Sequence, residues 1–211
     1  GDTAKERSGF YSTFSHEKEI CRPGYYEVFL DRFGIKACMT ATNRVAFEEF
    51  HYPAGADARI VVDVENGVGW NTPVDCSLRQ LDDSTIVGHR FSKGWAADRR
   101  HYFVIRFSRP IKSWSVVPGR IKAKDGNPVA AVGYGEAQFE LTTDSVVGVK
   151  VAMSSVSDEG AMHNLLAESA GRSFTQVRQL ADSTWNAALS RVEATFDNER
   201  ARRIFYTSLY H

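Results

Sequence analysis

Two short segments of the chain combine residue types that could bind a ligand. Residues 15–19 place His16 beside Glu17 in the sequence SHEKE. An imidazole and carboxylates in one polar segment can contact a substrate or a metal ion, and the same composition also fits a solvated turn before a strand. The second segment is the loop at Gly94 and Trp95, which Phe91 precedes on the same edge. An exposed indole offers a flat apolar face that can stack on a sugar ring, or can equally pack against a neighbouring domain.

Other acidic and histidine residues fit structural roles better. Glu48 and Glu49 are adjacent in a predicted strand, so their side chains should point to opposite faces and cannot form a catalytic pair by themselves. His51, His89 and His101 also fall in predicted strands, where a histidine is more often hydrogen-bonded than a ligand. The sequence lacks the GxSxG, GxxxxGK[ST] and GxGxxG motifs, which excludes hydrolase-elbow, P-loop and Rossmann interpretations. No catalytic residue and no metal ligand is therefore predicted.

Composition and charge narrow the class of protein. The 211 residues contain 26 Lys plus Arg and 26 Asp plus Glu, so no overall field favours nucleic acid or an anionic membrane. The apolar fraction of 43% supports a sizeable core, and no apolar run reaches the roughly 18 residues of a membrane span. We expect no nucleic-acid partner and no membrane span.

The three cysteines leave two interpretations open. Cys21 and Cys38 lie in or beside strand-like segments and could pair, or all three, with Cys76, could be buried free thiols. The absence of a CxxC pattern argues against structural zinc.

The elements that must position these residues are mostly strands up to about residue 155. Residues 35–42 alternate between apolar and polar positions, residues 59–65 form a β-branched run, and turn signals recur every 8 to 12 residues. The segment 101–108 carries apolar residues on both faces, which indicates a strand in the middle of a sheet within a larger body. The pattern predicts an antiparallel β-sandwich.

After residue 155 the apolar period changes to that of helices. Ser157 can cap a helix that ends before Gly171, and Ser173 can cap a longer helix reaching about Val192. A third helix begins after Asp197 and carries an apolar face that needs a partner to bury it. We therefore predict a mainly β fold followed by an α-helical linker that leads elsewhere.

Eight ordered blocks of sequence resemble a known family. The blocks are FSHEKE (14–19), PGYYEVFL (23–30), IKACMTATNRVAF (35–47), RFSKGWA (90–96), YFVIRFSRP (102–110), VKVAMSSVS (149–157), VRQLADSTWNAALSRVE (177–193) and IFYTSLYH (204–211). Together they resemble the N-terminal domain and linker of glycoside hydrolase family 92, the calcium-dependent exo-α-mannosidases.

The resemblance implies a galactose-mutarotase-like supersandwich against an (α/α)6 helical domain, and inverting hydrolysis of α-mannosides such as N-glycans. It places the acid, the base and most calcium ligands in the helical domain, outside this chain. It implies a wall of the sugar pocket built from Gly94, Trp95 and Phe91, with His16 and Glu17 behind them. One departure is Glu48-Glu49, where the family often has His-Arg, which reverses the local charge.

The resulting interpretation has residues 1–155 as a β-sandwich incomplete at its N-terminus, 156–196 as a helical linker and 197–211 as the start of a helical catalytic domain. Its partners would be a mannose-containing glycan and that helical domain, and the protein would be secreted, periplasmic or on the cell surface. The alternative is a non-catalytic carbohydrate-binding or structural module whose Trp70 and Trp95 face a sugar or a protein. A protein–protein adaptor is a third, weaker alternative.

Overall fold

The computed structural model describes residues 10–67, 71–119, 131–141 and 145–211. The described strands are β1 (Glu19–Arg22), β2 (Tyr25–Leu30), β3 (Ile35–Ala41), β4 (Val45–His51), β5 (Ala58–Asp63), β6 (Thr72–Gln80), β7 (Thr85–Lys93), β8 (Arg99–Phe107), β9 (Ser113–Pro118), β10 (Val132–Phe139) and β11 (Val146–Ser154). The α-helices are α1 (Asp158–Ser169), α2 (Phe174–Leu189) and α3 (Glu199–Tyr210), and a short 3-10 helix spans His16–Lys18.

The strands form two antiparallel sheets. The larger sheet has the order β1-β2-β3-β4-β11-β8-β7-β6, and the smaller has the order β5-β10-β9. Strands β1 to β4 are neighbours in space as in sequence, whereas β11 inserts between β4 and β8 and closes the middle of the large sheet. The predicted antiparallel β-sandwich is confirmed.

Strand β8 shows why the sequence requires three layers. Phe103 and Ile105 point toward the small sheet and join the core between the sheets, while Val104 points to the opposite face and packs beneath α1. All three are buried. The prediction of a central strand with two apolar faces is confirmed, and the helices supply the layer that covers its second face.

The core between the sheets is large and mostly aliphatic and aromatic. Phe107 and Phe139 meet across it with ring centroids 4.9 Å apart. A cysteine, two β-branched residues and an alanine also belong to it: Cys76, Ile86, Val147 and Ala137. Burial of such apolar surface contributes on the order of 25 cal/mol per Å² and is the main driving force for closing the two sheets.

The helix boundaries follow the predicted caps. Ser157 accepts a hydrogen bond from the Gly160 amide at the start of α1, and Ser173 forms a complete capping box with Gln176 at the start of α2. Gly171 adopts φ 64° just after α1, a conformation that favours glycine. Helix α2 ends at Leu189 rather than at Val192.

The first two helices do more than link the β-domain to a following segment, because they pack on the large sheet. Helix α1 packs on β11 and β8, and α2 packs on β3 and β4, so both form a layer on the outer face of the large sheet. Leu165 of α1 and Val177 of α2 are buried there. Helix α3 has no buried residue and reaches α2 through the rings of Tyr210 and Trp185, whose centroids are 4.8 Å apart.

Two strands differ from the sequence prediction. The short β1 lies at the edge of the large sheet, and its four residues show little periodicity. Strand β6 begins at Thr72, close to Gly67, Gly69 and Asn71, which are typical of a loop, and it continues through Pro73 with a register shift before Asp75. Because β6 is the other edge strand, a proline is tolerated near its start.

The cysteines are free thiols. Cys21 aligns with Tyr26 and Met39 across β1, β2 and β3, so it shares their face, whereas Cys38 precedes Met39 and points to the opposite face. The interpretation that Cys21 and Cys38 form a disulfide is therefore wrong. Cys38 and Cys76 are buried, as predicted, but Cys21 is exposed. Burial raises the pKa of the Cys76 thiol to about 11, which makes it unreactive at neutral pH.

Glu168, near the end of α1, forms hydrogen bonds with the turn between β3 and β4. Its carboxylate accepts hydrogen bonds from Thr42 Oγ1 at 2.5 Å, from the Arg44 amide at 3.0 Å and from Arg44 Nε at 2.6 Å. Its side chain is only 12% exposed. Burial by itself would raise the pKa of Glu168, but the hydrogen bonds from Thr42 and Arg44 outweigh it and hold the pKa below its ordinary value.

Replacement of Glu168 by glutamine should lower the free energy of unfolding by about 1 kcal/mol at pH 7, because a charge-assisted set of bonds is lost. A lowered folded-state pKa stabilises the fold above the unfolded pKa, and this stabilisation disappears as the pH falls through the folded value. In urea denaturation, the difference between the wild type and Glu168→Gln should therefore begin to shrink as the pH falls to about 4.5, the ordinary glutamate value, and should vanish below the lower folded-state pKa. A difference that persists at acid pH would contradict the assignment.

Candidate functional site

Among the described residues, the large apolar side chain with the highest exposure is that of Trp95, in the hairpin between β7 and β8. Residues 94–98 form its loop, hereafter the Trp95 loop, and the Gly94 amide donates to the Ala96 carbonyl at 2.9 Å. Trp95 is 87% exposed, although it is large and apolar. The predicted exposure of the loop is thus confirmed, and an accessible indole at a hairpin end is suited to stacking on a planar or apolar ligand face.

At the base of this hairpin, the side-chain rings of three residues pack against one another. The His89 and Phe91 rings stack with centroids 4.3 Å apart and an interplanar angle of 23°. Tyr102 packs edge-on against Phe91 at 5.2 Å. The guanidinium of Arg100 lies over the Phe91 ring at 5.5 Å and pairs with Asp98 at 3.1 Å. The Phe91 ring therefore packs against His89, Tyr102 and Arg100 of the same hairpin. Trp95 presents the accessible aromatic surface.

Hydrogen bonds fix the orientation of His89. Its Nδ1 lies 2.8 Å from Ser77 Oγ, and its Nε2 lies 3.1 Å from Asp75 Oδ2. Both ring nitrogens thus have partners on β6, which agrees with the prediction of a hydrogen-bonded strand histidine. We call Asp75, Ser77, His89, Phe91 and Tyr102 the His89 cluster.

The sequence contains a local signal for part of this cluster. Residues Asp82-Asp83-Ser84 are typical of a hairpin turn, and such a turn pairs residues that are equidistant from Asp83. That rule places Ser77 opposite His89 and Asp75 opposite Phe91, as the structure does. Tyr102 could not be added this way, because its place depends on the pairing of β8 with β7 across the Trp95 loop.

His16 and Glu17 lie far from the Trp95 loop. They belong to the 3-10 helix before β1, at the edge of the large sheet opposite to β6. Four strands separate β1 from β8, which corresponds to about 24 Å of sheet at roughly 4.8 Å per strand. The structure of this chain does not bring the two groups together as one wall.

The local contacts of His16 are with its own segment. Its Nδ1 lies 2.6 Å from Glu19 Oε2, and its ring packs edge-on against Phe14 at 5.4 Å. Tyr26 donates to the other Glu19 oxygen at 2.6 Å. The hydrogen bond from Tyr26, followed by that from His16, lowers the pKa of Glu19. Glu17 is exposed, and its amide donates to Ser15 Oγ at 3.2 Å.

Glu48 and Glu49 point to opposite faces of β4, as predicted. Glu48 aligns with Met39 and Val149 on the face that carries the core between the sheets, and burial raises the pKa of its carboxyl. Glu49 lies on the outer face, 3.7 Å from His51 Nε2. A carboxylate pair for acid–base chemistry cannot be built from these two residues alone.

A wide cleft of about 1020 Å³ lies between the β1–β4 half of the large sheet and the helices. Arg22, Tyr25, Trp185 and Tyr210 are among its lining residues. Sequence reasoning did not find it, because the cleft exists only through the packing of α2 and α3 beside the sheet.

Within residues 10–67, 71–119, 131–141 and 145–211, no group of three or more His, Cys, Asp or Glu residues is placed to hold a metal ion. None of the described helices is long and apolar enough to cross a membrane. Trp70 and Gly69 lie outside the described residues.

Comparisons with known proteins agree on one family. The model of the glycosyl hydrolase family 92 N-terminal domain matches residues 1–154, and that of the family 92 catalytic domain matches residues 160–211. None of the curated proteins compared with the chain matches it.

Solved structures give the same result. The family GH92 α-mannosidase BT3965 from Bacteroides thetaiotaomicron is 32% identical, with a TM-score of 0.82 over 95% of this chain and 28% of that one. The same mannosidase has been solved in complex with mannoimidazole. The family GH92 inverting mannosidase BT2199 from B. thetaiotaomicron VPI-5482 is 26% identical, with a TM-score of 0.80 over 94% of this chain and 26% of that one.

The two-sheet domain, its helical layer and these matches define the class of protein as a glycoside hydrolase domain. The chain belongs to glycosyl hydrolase family 92. It spans 28% of the length of the first of these mannosidases. The division at residues 155 and 196 stays a prediction.

Proposed function

We propose that this chain forms the sugar-facing β-domain of an exo-acting α-mannosidase that trims mannose from α-mannosides, including N-glycans. The observation that carries the proposal is the 87% exposure of Trp95 on the β7–β8 hairpin, in a chain that is similar to solved mannosidases of family GH92. An indole face binds the apolar face of a pyranose by stacking and by burial of CH groups. Gly94, next to Trp95 in the same loop, is proposed from the family resemblance as part of the same wall.

The bond cleavage itself requires two carboxyl groups. In an inverting glycosidase one protonates the glycosidic oxygen and the other activates water on the opposite face of the sugar, with about 6.5–9.5 Å between them. We propose that both, and the ligands of the calcium ion that the family resemblance implies, lie in a helical domain outside this chain. Support for such a partner comes from the exposed apolar residues of α2 and α3, among them Leu180, Ile204 and Leu209.

The remaining parts of the proposal follow from the resemblance. The inverting outcome has support from BT2199, which is an inverting mannosidase of the same family. Secretion, or a periplasmic or surface location, stays a prediction. His16 and Glu17 stay predicted substrate-binding residues, and their position at the far edge of the sheet requires a ligand or a partner domain that reaches there.

The test is α-mannoside hydrolysis by the intact protein that carries this chain. We expect release of mannose whose first-formed anomer, observed by NMR, is β from an α-linked substrate, and loss of activity on addition of a calcium chelator. Full activity after chelation would contradict the metal proposal, and a first-formed α anomer would contradict inversion. Mannose binding without hydrolysis would favour the non-catalytic carbohydrate-binding module instead.

A further inference from the structure

The His89 cluster lies in two rows that cross three strands. Asp75, Phe91 and Arg100 are register partners on β6, β7 and β8, and Ser77, His89 and Tyr102 are partners in the next row. Because residues two apart on a strand share a face, both rows point to the same side of the sheet as Val87 and Val104. Val87 and Val104 belong to the core beneath the helices.

The two rows therefore lie between the helical layer and the Trp95 loop. Val87 and Val104, one row further along, are buried beneath the helices, whereas the side chain of Asp75 is 50% exposed and that of His89 is 22% exposed. Lys93, the last residue of β7, is two residues beyond Phe91, which corresponds to about 7 Å of strand before the loop begins. A ligand that rests on Trp95 can extend over this distance onto the cluster if it has a second ring.

Asp75 is the polar group best placed to bind such a ligand. Its Oδ2 is held by His89 Nε2, and His89 is in turn held by Ser77. Within the described residues, the hydrogen bonds of the Asp75 side chain involve Oδ2 alone. The cluster thus orients the carboxylate, and half of the side chain is exposed to an external donor. A carboxylate with a fixed orientation can accept hydrogen bonds from sugar hydroxyl groups, and each charged hydrogen bond is stronger than a neutral one.

We propose that Asp75 forms an outer sugar subsite next to Trp95, which binds the hydroxyl groups of the second hexopyranose of an α-mannoside. His89 is a positioning residue that orients the Asp75 carboxylate, and the stack of His89 on Phe91 holds the imidazole in place. This subsite rests on the proposed function, since it assigns the part of the substrate that follows the mannose to be released. It makes Asp75 a determinant of preference for oligosaccharides over simple mannosides.

The experiment compares two substrates of the intact protein, an α-linked mannobiose and a 4-nitrophenyl α-mannoside, which has no second sugar. Asp75→Asn should lower kcat/KM for the mannobiose about tenfold more than for the aryl mannoside, mainly through a rise in KM. Tenfold corresponds to about 1.4 kcal/mol. Asp83→Asn is the matched control, because Asp83 is an exposed carboxylate in the turn at the opposite end of β6 and β7. It should change the ratio between the substrates less than twofold.

The role of His89 has its own readout. His89→Gln keeps a side-chain donor for Asp75 and should retain most of the preference for mannobiose, whereas His89→Ala should lose it. Equal losses on both substrates for Asp75→Asn, or no loss on either, would overturn the subsite.

Failure of the subsite can be told apart from failure of the proposed function. If the wild type cleaves neither substrate, calorimetric titration of the wild type and Asp75→Asn with mannobiose and with methyl α-mannoside still tests it. Equal affinity of the two proteins for mannobiose would then overturn it, and about tenfold weaker binding to Asp75→Asn alone would support it.

Discussion

Replacement of Trp95 by alanine is expected to lower kcat/KM for α-mannoside hydrolysis about 30-fold and to leave the melting temperature unchanged. The loss of a stacked indole removes about 2 kcal/mol of binding, from the apolar area covered by the sugar and from the ring interaction itself. At about 1.4 kcal/mol for each factor of ten, this corresponds to roughly 30-fold. The fold should tolerate the change because Trp95 is 87% exposed.

The measurement combines steady-state kinetics with thermal unfolding of the same preparations. Trp95→Phe is the matched control, since a smaller ring keeps part of the stacking surface and should lose only about fivefold. Two results would contradict the sugar-stacking role. The first is unchanged kinetics for Trp95→Ala, and the second is a kinetic loss that accompanies a clear fall in melting temperature, which would indicate that Trp95 packs against a neighbouring domain.

Replacement of Leu165 by alanine should cost about 3 kcal/mol of unfolding free energy. Leu165 has 0% exposure in α1 and packs in the core that the helices form on the outer face of the large sheet, together with Phe47, Val87 and Val104. Truncation removes apolar contacts and leaves a cavity that strands on one side and a helix on the other cannot close completely. For a chain of this size, we expect a fall in melting temperature of about 6–12 °C.

The neighbouring leucine offers a close control. Leu166 is 52% exposed on the same helix, and Leu166→Ala should change the unfolding free energy by less than about 0.5 kcal/mol. Urea denaturation followed by circular dichroism measures both variants. Equal effects of the two substitutions would show that α1 is not docked on the sheet, and the three-layer arrangement would have to be abandoned.

The helix caps and most strands could be predicted from the sequence because they depend on neighbouring residues. The alternation in β3 is a property of seven consecutive positions, and the caps at Ser157 and Ser173 are set within four residues. The strands that were missed or shortened, β1 and the start of β6, lie at the sheet edges, where burial on one side is weak and gives little periodicity.

The functional site was predictable only in part. Exposure of Trp95 followed from a glycine-containing loop between two core strands, which is a local pattern. The His89 cluster needed the register of three strands, and the distance between His16 and Trp95 needed the order of all eight strands in the large sheet. The family resemblance grouped His16 with Trp95, but it contains no distance between them within this chain.

By itself, the sequence determined the class of fold, the ends of the helices, the family and the residue that presents an aromatic surface. The tertiary structure decided that α1 and α2 form a third layer, that Asp75 and His89 come together on the strands that lead to the Trp95 loop, and that His16 lies about 24 Å of sheet away. The reason is physical. Backbone period and capping are fixed by contacts within a few residues, whereas strand order depends on which distant apolar faces bury one another most completely.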